Sequence, residues 1–251
     1  MGYSLGGMLC TSINAQVAEL PGKIEALSIR DLAKYGHFDE IQRRTHAGEE
    51  VNLAKVFERA VTDFRTVKRN PGHAEIMHWC LDQGLDPEAR VGPLKRTLLS
   101  LAAVAGNREI VERMRRRREP QNPFAWASLG EVDLLANYAG QHHLATMHDE
   151  NGLNLLFYCA ESGLGRHDEQ LKKQLTETCC FLIDYGVPTQ YEVQAELPIS
   201  AAFLCAASGG NAQIMQLLLA NDDPTADRYY LALEHCLEPH QRSGEPFYDV
   251  A

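Results

Sequence analysis

Between Gly72 and Gly106 two short apolar faces alternate with glycine stops. Ile76, Met77, Cys80 and Leu81 are separated by one, three and four residues, a spacing that gathers them on one face of a helix. Gly84 and then Asp86-Pro87 predict the end of that helix, because glycine enters the left-handed C-cap conformation at no steric cost and proline cannot continue it. A polar stretch through Arg90 leads to Leu98, Leu99, Leu101, Ala102 and Ala103, a second apolar helix stopped by Gly106-Asn107. The predicted unit is a helical hairpin with a projecting loop.

The same sentence recurs along the chain. Glycines placed ahead of a second helix are Gly36, Gly72, Gly106, Gly130, Gly163 and Gly210, at intervals of 36, 34, 24, 33 and 47 residues. A period near 33 residues built from helix pairs resembles the ankyrin-repeat family. Gly72, His73, Glu75, Ile76, Leu81, Gly84, Asp86 and Ala89 stand on that family's pattern. So do Asp149, Gly152, Leu156, Ala160 and Gly163, and later Ala206, Ala207, Gly210, Ile214 and Leu217 to Leu219. The resemblance implies an all-α solenoid of about six stacked hairpins with short projecting loops, covering roughly residues 29–226. Residues 1–28 are expected to cap its N-terminal end, and 227–251 to supply a capping helix and a tail, in one continuous unit. The family's T-P-L-H tetrapeptide joins neighbouring repeats by hydrogen bonds. The matching positions here read TLLS from Thr97, NLLF from Asn154 and AAFL from Ala201, so apolar contact is expected to replace those bonds.

Irregularities interrupt the pattern. Arg43, Arg44 and Thr45 occupy apolar positions of a helix expected over Asp39–Asn52, as suits a terminal repeat with a polar outer face, part of which residues 1–28 are placed to cover. The unit from Pro123 to Gly140 is short, with Asn122 as expected N-cap and Pro123 as first helical residue. A shortened unit predicts a local bend or a wider cleft. The segment LGRHDEQLKK is an insertion ahead of LTETCCFLIDYG and adds a charged helical turn.

Composition narrows the function classes. The 24 basic against 34 acidic residues leave a formal charge of −10, which repels phosphate backbones and steers cationic partners inwards. No apolar run is long enough to span a membrane, and no basic-then-apolar leader opens the chain, so a soluble, cytoplasmic protein is expected. The 7 cysteines form no C-x-x-C pair, and Cys80, Cys159, Cys179 and Cys205 fall within helical apolar patterns as small hydrophobes. The four arginines from Arg115 to Arg118 end a helix where its dipole favours cations. His142, His143, His148 and Asp149 lack the register of a zinc site. No phosphate loop, nucleophile elbow or metalloprotease helix is present; no catalytic residue, metal or cofactor is assigned.

The expected function is therefore a non-catalytic scaffold that grips a partner polypeptide of basic character on the concave face that the resemblance implies. Asp86, Glu88, His142, His143, Tyr191 and Glu192 would orient it, and Trp126 or Phe157 would supply aromatic area. The alternative is a small-molecule pocket, catalytic through a His–carboxylate pair, where the short unit disturbs the array.

Overall fold

The computed structural model describes residues 24–62, 70–92, 94–189 and 202–221. Most of the expected N-terminal cap, the expected terminal helix, and Tyr191 and Glu192 lie outside the described residues. The protein is all-α in character: twelve α-helices and a single two-stranded hairpin stand among the described residues. The helices come in six successive pairs, and the chain divides after Gly84 into two compact units.

The first unit contains α1 (Ile29–Tyr35), α2 (Phe38–His46), α3 (Leu53–Thr62) and α4 (Pro71–Asp82). First helix touches first helix and second touches second, α1 against α3 and α2 against α4. Leu32, Ile41, Phe57, Ile76 and Leu81 are fully buried between them. Helix α2 ends at His46, short of the expected Asn52, with Gly48 at φ 90° shortly beyond it. Arg44, on the expected polar face, is covered by the segment ahead of α1. Its guanidinium donates to the carbonyls of Ile24, Glu25 and Leu27 and pairs with Glu40 at 2.7 Å, satisfying backbone acceptors at the start of the unit. Pro71 takes the first position of α4, where its missing N–H costs nothing.

The second unit contains β1 (Arg90–Val91), β2 (Arg96–Thr97), α5 (Leu98–Val104), α6 (Arg108–Arg117), α7 (Pro123–Leu129) and α8 (Val132–Ala139). It continues with α9 (Leu155–Ala160), α10 (Glu169–Asp184), α11 (Ala202–Gly209) and α12 (Ala212–Ala220). First helices touch in the order α5, α7, α9, α11, and second helices in the order α8, α10, α12. The expected polar loop before α5 is an antiparallel hairpin pairing Arg90 with Thr97 and Val91 with Arg96. The insertion forms a 3₁₀ turn at Leu164–Arg166 and then the N-terminal part of α10, capped by Asp168 through the N–H groups of Gln170 and Leu171.

Apolar contact does not replace the polar links between pairs. Neighbouring pairs are tied by side-chain bonds to carbonyls at helix ends or, as for Pro188, in the loop beyond one. In the first unit His73 Nε2 lies 3.0 Å from the Lys34 carbonyl, and Asn70 donates to that of Tyr35 at 2.9 Å. In the second, Asn211 donates to Ser162 at 2.7 Å, Arg166 to Gly209 at 2.8 Å and Asn154 to Pro188 at 2.8 Å. Asn154, the first residue of one tetrapeptide, and polar side chains at other positions perform the joining.

The short pair α7–α8 is tucked between its neighbours without separating them. Helix α7 touches both α5 and α9, yet the turn after α9 bonds directly to the last turn of α5, Gly163 N–H donating to the Ala103 carbonyl at 3.0 Å. A Cβ on Gly163 would lie 2.5 Å from the Val104 carbonyl oxygen, so this approach requires glycine. Arg108 also pairs with Asp168 across the same gap.

Candidate functional site

The tucked pair lacks a projecting hairpin of its own. The loops on either side, 89–97 and 148–154, therefore face one another over the N-terminus of α7 and enclose a cleft of about 320 Å³. Its floor is Phe124, Ala125 and Tyr158, with the two rings 5.1 Å apart. Thr97 and Ser100 add hydroxyls from the start of α5, where the Thr97 side chain accepts from Ser100 N–H and Ser100 Oγ donates to the Thr97 carbonyl. Asn122 caps α7 through Ala125 N–H at 2.8 Å, as its sequence position predicts.

The mouth is spanned by charge. Glu150 accepts from Arg90 Nη1 at 3.0 Å on one carboxylate oxygen and from Lys95 Nζ at 2.9 Å on the other. Asn151 adds a bond to the Leu94 carbonyl at 2.7 Å. All three partners stand open to solvent, with side-chain exposures of 60, 63 and 38% for Arg90, Lys95 and Glu150. The hydrogen bond from Lys95, seconded by Arg90, holds the Glu150 carboxyl below the usual range. Lys95 has φ 43°, in the left-handed region that non-glycine residues rarely occupy.

Behind the floor lies a second, buried charge layer. Arg96, 6% exposed, donates to Glu161 at 2.5 Å and sits over the rings of Phe157 and Tyr158 at 4.9 and 5.2 Å. Burial acts to lower the Arg96 pKa, but the Glu161 and Tyr158 fields and the bond to Glu161 outweigh it, and the net direction is upward. Burial likewise pushes the Tyr158 phenol well up, so it serves as a donor, to Asp149 at 2.7 Å.

The residues expected to meet a partner are distributed unevenly. Phe157 is 3% exposed beneath Arg96, so its aromatic area is spent inside the fold and it offers no contact surface. Asp86 and Glu88 share a turn in which Asp86 accepts from Glu88 N–H; Asp86 pairs with Arg118 at 3.5 Å, and Glu88 accepts from Asn122 at the cleft edge. Trp126 and His142 are brought together through Tyr138, edge-on to the indole and stacked on the imidazole at 4.0 Å. The Trp126 indole N–H is engaged by the Pro120 carbonyl. His143 is exposed on the loop after α8. Arg115 is paired with Glu119 and Glu131, which uses up part of the arginine run.

Asp149 accepts from the N–H groups of Asn151 and Leu153 as well as from Tyr158, and His148 Nδ1 lies 3.0 Å from the Thr146 carbonyl. Among the described residues no group of three or more His, Cys, Asp or Glu is placed to hold a metal ion. Sequence reasoning passed over Arg90, Lys95, Phe124, Glu150 and Tyr158. The legible signal was the short unit, with oppositely charged loops on its two sides. Comparison with protein-family models finds none that matches this chain, and comparison with curated proteins finds no match.

Proposed function

We propose that the chain is an ankyrin-type solenoid that binds a partner polypeptide, without catalysis, in the cleft over its short repeat. The observation that carries this reading is the 320 Å³ cleft between two projecting loops, at the place where the intervening repeat has none. A segment of partner chain fits the space that a missing finger would fill. The ordered contact of first helices with first helices and second with second, within each unit, is what stacked hairpins produce. Asp86 and Glu88 at one edge, together with the net charge of −10, favour a partner of basic overall character and speed its approach.

A small-molecule pocket is the second reading, favoured by a volume at the lower end of the range for ligand pockets. Acid–base catalysis there is disfavoured. His148 and Asp149 both line the cleft, but each is committed to holding its own loop.

Peptides selected from a random display library against the whole chain test the two readings. The expected outcome is a set of binders that shifts the NMR signals of Thr97, Ser100, Phe124 and Tyr158, with association slowed and its salt dependence flattened by Asp86→Asn. A library that yields no binder at the cleft, alongside a metabolite that raises the melting temperature, would replace the scaffold by the pocket.

A further inference from the structure

Glu150 has the geometry of a bound ligand. Its two carboxylate oxygens each take one cation from the facing hairpin, and it reaches them from a loop 55 to 60 residues away in the chain. The rest of its own loop is held independently: Asp149 anchors it through Asn151, Leu153 and Tyr158, and Asn151 ties it to the Leu94 carbonyl. Removing the Glu150 side chain from the cation pair therefore leaves the cleft walls in place. Ion pairs this exposed contribute little to stability, because water and salt screen them, so exchange for another carboxylate is cheap.

Resting on the polypeptide-binding reading above, we infer that Arg90 and Lys95 form a carboxylate receptor for an acidic residue of the partner, which Glu150 occupies in the free chain. The receptor selects the position of that residue. A carboxylate that enters the cleft elsewhere meets Asp149, or Glu88 beyond Asn122, and is repelled, whereas one set on Arg90 and Lys95 replaces Glu150 charge for charge. The left-handed backbone at Lys95 fixes the turn that carries the ammonium over the cleft. Lys95 and Arg90 stand at opposite sides of the β1–β2 turn, so a carboxylate must lie across the mouth to reach both. An acidic residue flanked by basic ones satisfies both this receptor and the acidic surroundings.

The test repeats the display selection with wild type, Glu150→Gln and the double variant Arg90→Gln/Lys95→Gln, each checked for an unchanged melting curve. Cleft-binding peptides should carry Asp or Glu at one fixed position. They should bind Glu150→Gln about three- to tenfold more tightly than wild type, since they no longer compete with the internal carboxylate. Exchanging the peptide's acidic residue for its amide should abolish that gain, and the double variant should lose the acidic preference. Peptides that bind the cleft with no acidic position, or with equal affinity for wild type and Glu150→Gln, would overturn the receptor and leave the binding reading intact. Selections that return no cleft binder against any of the three proteins would overturn both.

Discussion

The hairpin 90–97 makes two ionic links to the region around α9, and they differ in nearly everything except their charges. Arg96–Glu161 is buried, is covered by two aromatic faces and has a single geometry enforced by packing. Glu150 with Arg90 and Lys95 lies in solvent, where each side chain has alternatives. A buried pair is costly to break because the abandoned charge has no water to turn to; an exposed one is replaced at once by hydration. The first link therefore belongs to the fold, and the second is free to serve recognition.

The largest way to break this contrast is Arg96→Ala. It abandons the Glu161 carboxylate in the interior and should cost about 3–5 kcal/mol in denaturant titration. The double variant Arg96→Met/Glu161→Leu, which removes both charges and keeps the volume, should recover most of that loss. A cost for Arg96→Ala below about 1 kcal/mol would show that the pair is solvated and the contrast mistaken. Asn154→Ala removes both the cap of α9, given to Phe157 N–H, and the link to Pro188, and should cost about 1–3 kcal/mol.

The adjacent thiols of α10 sharpen the same comparison. Burial pushes Cys179 up to about 12 from an ordinary value near 9, whereas Cys180 is half-buried. The unfolded thiol loses its proton first, so this contribution is intact below about pH 9 and is lost as pH rises towards 12. At neutral pH, mass mapping with a thiol reagent should find Cys180 labelled and Cys179 protected until unfolding. The smallest effect is expected at the exposed link. Glu150→Gln should leave the denaturation midpoint where it is, and a large drop would mean that this link, too, is structural.

Several features were legible before the fold was known because they are local. Asn122 and Pro123 start α7, and four of the six recurring glycines, Gly36, Gly106, Gly130 and Gly210, stand at positive φ in the turns between paired helices, whereas Gly72 lies inside α4 and Gly163 has φ −86°. The missing tetrapeptide histidine was also plain, but the replacement of its bonds was not. Asn154, Arg166 and Asn211 reach carbonyls 34 to 51 residues distant, and nothing in a short window distinguishes such an asparagine from an ordinary cap. Phe157 shows the same limit. Its apolar neighbours, Leu155 to Ala160, do not separate a groove aromatic from a core one, and Arg96, which lies over its ring, stands 61 positions earlier.

The helix pairs, most of their stops and the irregular fourth unit can be read along the chain, since apolar spacing, caps and left-handed turns depend on residues within a few positions of one another, although α2 stops at His46 and not at Asn52. Packing between pairs tucks this unit between its neighbours, brings the flanking loops together across it and leaves one of the two arginine–glutamate contacts dry. Those outcomes depend on how closely separate pairs approach. That distance is set by Phe124 of one pair packing on Tyr158 of the next and by the missing side chain at Gly163, and it is encoded in no single stretch of the chain.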